Sequence, residues 1–230
     1  MKTAAIIVAG GSASRFGGDV PKQFLPLCGK PLLSQTINKF QNANSIDLIV
    51  IVVAEEYLLY TSEKIIDPYH FDKVLKIVIG GETRRQSVLN GLNSLPLSTD
   101  FVAIHDAARP LIKPSEIDKI IEIAQKEKAV IFAQKSVDTI KRIRDDYIMA
   151  TLDRNILFQA QTPQVFAYDL IRSAHEEFEG DESSITDDAS LLEQKGFKVK
   201  ILASDSNNMK VTTKEDFKIA ELLLSEELNG

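Results

Sequence analysis

Short runs of apolar, largely β-branched residues alternate along this chain with stretches of helical period, and no other feature constrains its fold so strongly. The runs at residues 4–8, 48–53, 74–79, 101–104, 129–133 and 199–203 are nearly all apolar, as strands covered on both faces are. Helical stretches lie between them at residues 31–40, 83–95, 114–125, 167–178 and 214–224. In the second of these Val88, Leu89, Leu92 and Leu95 share a face, and Thr83 and Gln86 have the spacing of a capping box. The pattern predicts an α/β fold, a Rossmann-like, mainly parallel sheet flanked by helices. Residues 1–230 contain no repeat, low-complexity tract or long Gly/Ser linker, so the expectation is a single domain.

Composition narrows the class. A chain of 230 residues buries about 70–75% of its unfolded surface and needs no staples. The lone Cys28 forms no internal disulfide, no Cys/His cluster has zinc spacing, and a reducing compartment is expected. The opening MKTAAIIVAGG is too short for a membrane span, which predicts a soluble cytoplasmic protein. A formal charge of −6 argues against a broad nucleic-acid footprint while leaving room for a local basic pocket.

One stretch breaks the alternation. VDTIKRIRDDYIMAT (137–151) reads as a hairpin turning at Arg144, Asp145 and Asp146, with an apolar side of Ile140, Ile143, Ile148 and Met149 too rich for a solvated ribbon. It either lies on its own domain or is a β-arm that packs on a second subunit.

The first strand runs into AGGSASRFGGDVPKQF, where Arg15 and Lys22 stand seven residues apart. The glycines at 10, 11, 17 and 18 do not fit GxGxxG, and no Gly-Lys-Ser/Thr closes a Walker loop. Two readings remain: backbone N–H groups and two cations that cradle phosphate oxygens, or a tight turn with ordinary solubilising charges. Asp106 follows the strand FVAI, which places its carboxylate at a strand's C-terminal end, where open α/β sheets bind ligands; it can equally cap the next turn. His105, beside it, is read as structural, and His70 and His175 as surface residues.

The Gly-rich loop resembles the nucleotide loop of the sugar-phosphate nucleotidyltransferases. GGETRRQSVLNGL (80–92), HDAARP (105–110), VDTIKR (137–142), DRN (153–155), QTPQVF (161–166), TDDAS (186–190) and NMKVTTKEDF (208–217) resemble, in order, the 2-C-methyl-D-erythritol 4-phosphate cytidylyltransferase family. Ribitol-5-phosphate cytidylyltransferases share much of the loop, HDA-x-RP and TPQ, whereas Arg154 within DRN and the TDDAS run favour the methylerythritol branch. A catalytically silent nucleotide-binding module on the same fold is the alternative of a different class; the joint presence of Arg15, Lys22, Asp106 and Lys210 argues against it.

The resemblance implies a nucleotidyltransferase-type fold with a protruding β-arm for dimerisation. It also implies attack by a sugar phosphate oxygen on the α-phosphorus of CTP, with Mg²⁺ and release of pyrophosphate. Arg15, Lys22 and Lys210 would surround the reacting phosphorus, and Ala9, Gly10 and Gly11 would line the nucleotide. Gly80, Gly81 and Ser87 would recognise cytosine, and Arg85, preferred over Arg84, would assist at the triphosphate. Asp106 would stand near the metal and the sugar, with Asp205 or Asn207 as a second ligand. Arg109, Thr139, Arg154, Thr162 and Thr186 would bind the sugar phosphate, Thr139 and Arg154 reaching a neighbouring subunit's site in a homodimer with arm exchange. Thr186 also suits the N-cap of the helix holding Ala189, Leu191 and Leu192. Ala13 stands where many relatives carry a second glycine, so close approach of the backbone to phosphate would need negative φ there.

Overall fold

The computed structural model describes residues 1–11, 20–204 and 207–229. The chain runs through β1 (Thr3–Val8), the two-residue strands β2 (Pro26–Leu27) and β3 (Lys30–Pro31), α1 (Leu32–Gln41), β4 (Leu48–Val53), α2 (Leu58–Thr61), β5 (Val74–Ile79), α3 (Arg84–Asn93) and β6 (Phe101–Asp106). It continues through α4 (Pro114–Glu127), β7 (Ala129–Lys135), β8 (Lys141–Arg144), β9 (Tyr147–Thr151), β10 (Phe158–Ala167), α5 (Tyr168–Glu176), α6 (Asp188–Gln194), β11 (Lys200–Ala203) and α7 (Lys214–Asn229).

Seven strands pair in the order β11-β7-β10-β6-β1-β4-β5. The pairs β1–β4, β1–β6, β4–β5 and β7–β11 are parallel. Strand β10 runs antiparallel to both β6 and β7. Successive residues of a strand face opposite ways, and β1 shows the consequence. Ala4 and Ile6 pack with Val88, Leu92, Ile171 and Leu192 of α3, α5 and α6, whereas Ala5 and Ile7 pack with Leu33, Ile37, Ile117 and Ile121 of α1 and α4. Burial on both faces is therefore what required the continuous apolar runs. At the rims β5 and β11 leave Leu75, Ile79 and Ile201 exposed, because an edge strand is covered on fewer sides.

Strand β10 was not expected from the sequence, since FQAQTPQVFA carries three glutamines and a proline. The β7–β10 ladder shifts register between Ala160 and Gln164, and this break accommodates Pro163, which has no N–H to donate. Thr83 caps α3, its side chain accepting from the Gln86 N–H while Gln86 answers back, as the capping box predicts. The N-cap of α6 is Asp187, whose carboxylate accepts from the Ser190 N–H, and not Thr186. His175 is buried, contrary to its surface reading, while His70 is exposed.

Among the described residues the hairpin β8–β9 forms its own two-stranded sheet. Asp145 and Asp146 both have positive φ, 49° and 63°, as a two-residue turn matched to strand twist requires. Its apolar residues do not share one side: Ile148 and Met149 are adjacent, and both are exposed together with Ile143 and Tyr147.

Candidate active site

The strand order turns at β1, from which β4 and β5 continue one way and β6 the other, and the cavities lie at the carboxyl ends of these strands, as in other open α/β sheets. One cavity of about 380 Å³ is lined by Ala9, Gly10, Gly11, Lys22, Gly81, Arg84, Ser87, Asp106 and Lys210 among others. A second, about 260 Å³, is lined by Arg109, Gln161, Thr162, Thr186 and Asp187, and again by Arg84, Asp106 and Lys210. Those last three residues form a wall common to both.

The first cavity owes its shape to short local contacts. Gln23 is buried and donates to Ala9 O at 2.7 Å, which ties the residues around Lys22 to the end of β1. Ser87 Oγ accepts from Gly81 N–H at 3.0 Å and donates to Thr83 O at 2.9 Å, so the Gly-Gly turn is fastened to the first turn of α3. A Cβ at residue 81 would lie 2.4 Å from Gln86 Cβ, so only glycine fits that turn.

The shared wall is electrostatic. Asp106, ending β6, accepts from Arg84 Nε at 3.2 Å through Oδ1 and from Lys210 Nζ at 2.7 Å through Oδ2. Burial alone would raise the Asp106 carboxyl, but Arg84 and then Lys210 outweigh it and hold the group well below the usual carboxylate range. Lys210 reaches this point because Val211 N–H donates to Ala108 O at 2.8 Å, fixing the late NMKV segment beside the end of β6.

Behind the wall His105 is fully buried, and burial lowers its pKa to about 4. Its Nε2 lies 3.0 Å from Arg109 O, an acceptor only, so Nε2 carries the proton and Nδ1 accepts from the Thr162 hydroxyl at 3.1 Å. Thr162 Oγ1 in turn accepts from Asp106 N–H at 3.1 Å. Thr162 thus faces the second cavity with its proton already committed, and His105 is structural, as expected. Arg109 is largely buried, donates from Nη1 to Asn208 O at 2.7 Å, and its buried Nε has no hydrogen-bond partner among the described residues. Burial lowers its pKa, with Asp106 opposing. A guanidinium on a cavity wall, held in place by a backbone carbonyl, suits an anion.

Adjacent arginines diverge. Arg84 is on the shared wall, whereas Arg85 bonds Glu182 and His175 O and is not among the residues lining either cavity. The preference for Arg85 over Arg84 in the sequence thus falls on the residue held away from the wall. Gly80 stands just behind the lining, its N–H on Val53 O at 2.7 Å. Thr139 and Arg154 are exposed at the base of the β8–β9 hairpin and line neither cavity of their own chain. Arg15, Ala13 and Asp205 lie outside the described residues. Among the described residues no group of three or more His, Cys, Asp or Glu could hold a metal ion, and no helix is long and apolar enough to cross a membrane. Asp188, which bonds Arg84 from outside both cavities, and Gln164, which lines the second cavity and holds the Asp188 backbone, were missed as site residues; the TDDAS and QTPQVF segments were the only signal that contained them.

The profile of the 2-C-methyl-D-erythritol 4-phosphate cytidylyltransferase family matches residues 3–226. A 2-C-methyl-D-erythritol 4-phosphate cytidylyltransferase of Clostridium novyi is 42% identical over 97% of this chain and 96% of its own. One from Alkaliphilus oremlandii is 40% identical over 100% of this chain and 98% of its own. The crystal structure of a 4-diphosphocytidyl-2C-methyl-D-erythritol synthase from Anaerococcus prevotii superposes with a TM-score of 0.85 at 31% identity, covering 97% of this chain and 96% of that one.

Proposed function

Because the chain belongs to the 2-C-methyl-D-erythritol 4-phosphate cytidylyltransferase family, we propose that its two cavities are the two substrate sites and that the cytidylyl group crosses the wall between them. The reaction joins CTP to 2-C-methyl-D-erythritol 4-phosphate, giving 4-diphosphocytidyl-2-C-methyl-D-erythritol and pyrophosphate in isoprenoid precursor biosynthesis. Two anions must meet in it, and like unit charges ~4 Å apart repel by about 4 kcal/mol even at an effective dielectric of 20. Catalysis is therefore positioning and charge neutralisation.

The observation that carries the assignment is that Arg84, Asp106 and Lys210 belong to both cavities. CTP takes the cavity of Ala9, Gly10, Gly11, Lys22, Gly81 and Ser87, with its α-phosphorus at the shared wall. The sugar phosphate takes the cavity of Arg109 and Thr186, and Thr162 acts there by holding the Asp106 backbone. The phosphate nucleophile is already ionised near neutral pH and needs no general base, which agrees with His105 being a buried hydrogen-bonding residue. Arg15 and Lys22 belong to the cationic side of this reading. A divalent cation of the Mg²⁺ type would be held by Asp106, with substrate phosphate oxygens completing its shell and Asn207 or Asp205 as further donors; one carboxylate kept ionised suits such an ion. When bound it would add charge neutralisation at the triphosphate.

Thr139 and Arg154 serve the site of a second copy, each β8–β9 hairpin crossing to its neighbour in a homodimer; the exposed Ile143, Tyr147, Ile148 and Met149 support this. A single domain in the cytoplasm completes the reading, which the lone Cys28 supports.

Steady-state kinetics with each substrate varied test the assignment. Arg109→Ala should raise the KM for the sugar phosphate by about tenfold to 100-fold and leave that for CTP within about twofold, and Ser87→Ala should do the reverse. The opposite ranking, or equal effects on both, contradicts it.

A further inference from the structure

Asp188 touches neither cavity, yet both oxygens of its fully buried carboxylate are in use: Oδ2 accepts from Arg84 Nη1 at 2.8 Å and Oδ1 from His175 Nε2 at 3.2 Å. We propose that Asp188 is a positioning residue for cytidylyl transfer, holding the Arg84 guanidinium on the wall shared by the two cavities. The proposal rests on the assignment of those cavities to the two substrates.

Arg84 is the first residue of α3, and its side chain must span from that helix to the end of β6. A side chain of that length carries about 2 kcal/mol of rotamer entropy and, held only by Asp106, would be free to swing with it. Two carboxylates at two different nitrogens remove that freedom. Nε is fixed by Asp106 and Nη1 by Asp188, so the plane of the guanidinium is set before an anion arrives.

Asp188 is itself held firmly. Its N–H and that of Ala189 both donate to Gln164 Oε1 at 3.1 Å, and Gln164 lies on β10 opposite Ile104 of β6. Gln164 Nε2 donates to Asp187 Oδ2 at 2.7 Å, which fixes the amide's orientation. Position thus passes from the middle of the sheet to Asp188, to Arg84 and to the wall. Burial of Asp188 would favour its neutral form, but Arg84 and the His175 hydrogen bond overcome this and keep it ionised. A carboxylate only tying α6 to α3 would serve as well on any pair of residues; this one ends on a side chain that lines both cavities.

The test is a double-mutant cycle on kcat for pyrophosphate release at saturating CTP and sugar phosphate, with Asp188→Asn, Arg84→Met and the double variant, each checked for a cooperative thermal transition. Arg84→Met should lower kcat by about 100-fold, and Asp188→Asn by about tenfold to 100-fold with KM values little changed. The double variant should be no slower than Arg84→Met alone, and guanidinium ion should restore part of the rate to Arg84→Met but not to the double variant. If Arg84→Met is slow while Asp188→Asn is as fast as wild type, or if the two losses multiply, the positioning role is overturned and the cavity assignment stands. If Arg84→Met is as fast as wild type, the assignment fails and the proposal with it. Should Asp188→Asn not fold, ¹⁵N relaxation at Arg84 Nε of the wild-type protein decides: order without ligands supports the proposal, and order gained only with CTP overturns it.

Discussion

A histidine beside an aspartate at the end of a strand invites the role of general base, but His105 is spent on structure. With its proton on Nε2 and Nδ1 occupied by Thr162, it links the backbone of Arg109 to that of Asp106. Its pKa of about 4 when folded lies below its ordinary value of 6.5, so between those values the unfolded chain binds a proton that the folded chain refuses. Stability therefore falls as pH drops from 6.5 to 4, by about 3 kcal/mol in all, and levels off for this group below that. The loss from Asp106, held below its ordinary range, comes at lower pH still. Urea midpoints measured across this window in metal-free buffer should show the decline, and His105→Gln, which keeps a donor for Arg109 O, should flatten it; an equal decline in the variant contradicts the account. At this scale Asp106 was legible from its place at the end of a strand, whereas Lys210, in the loop between β11 and α7, and Ser87, in the first turn of α3, were legible only through the motifs that contain them. Arg84 and Arg85 could not be told apart, since neighbours on a helix point about 100° apart and their partners, Asp188 and Glu182, come from distant segments. The burial of His175 likewise depends on how α5 meets α3 and α6, which no local pattern records.

At the scale of elements, continuous apolar runs revealed the six parallel strands because helices on both faces demand apolar residues throughout. This pattern was silent on β10, whose first three residues, Phe158, Gln159 and Ala160, are exposed and whose buried Gln161, Thr162 and Gln164 are paired to other side chains and backbone rather than to apolar neighbours. The hairpin of β8 and β9 was legible from its turn, though not the arrangement of its apolar residues, because the register shift between Arg142 and Ile143 lies beyond sequence. If this hairpin lends Arg154 to a second subunit, Lys22→Ala and Arg154→Ala subunits are complementary. Half the dimers in an equal mixture would be hybrid, each with one intact site, so activity should recover to about a quarter of wild type. No recovery in mixtures shown to contain hybrid dimers contradicts arm exchange.

Across the whole molecule, the net charge of −6 says little about the site, because the cations that matter converge at one end of the sheet. β1 and β6 bring Gly10, Gly11 and Asp106 there, α3 brings Arg84 and Ser87, and the segment before α7 brings Lys210. The central claim is that CTP and the sugar phosphate meet on the wall formed by Arg84, Asp106 and Lys210. Pyrophosphate release by Lys210→Ala with both substrates saturating tests it most directly. The account predicts a turnover about 10²–10³-fold below wild type, with both substrates still bound. A turnover equal to that of wild type would contradict it.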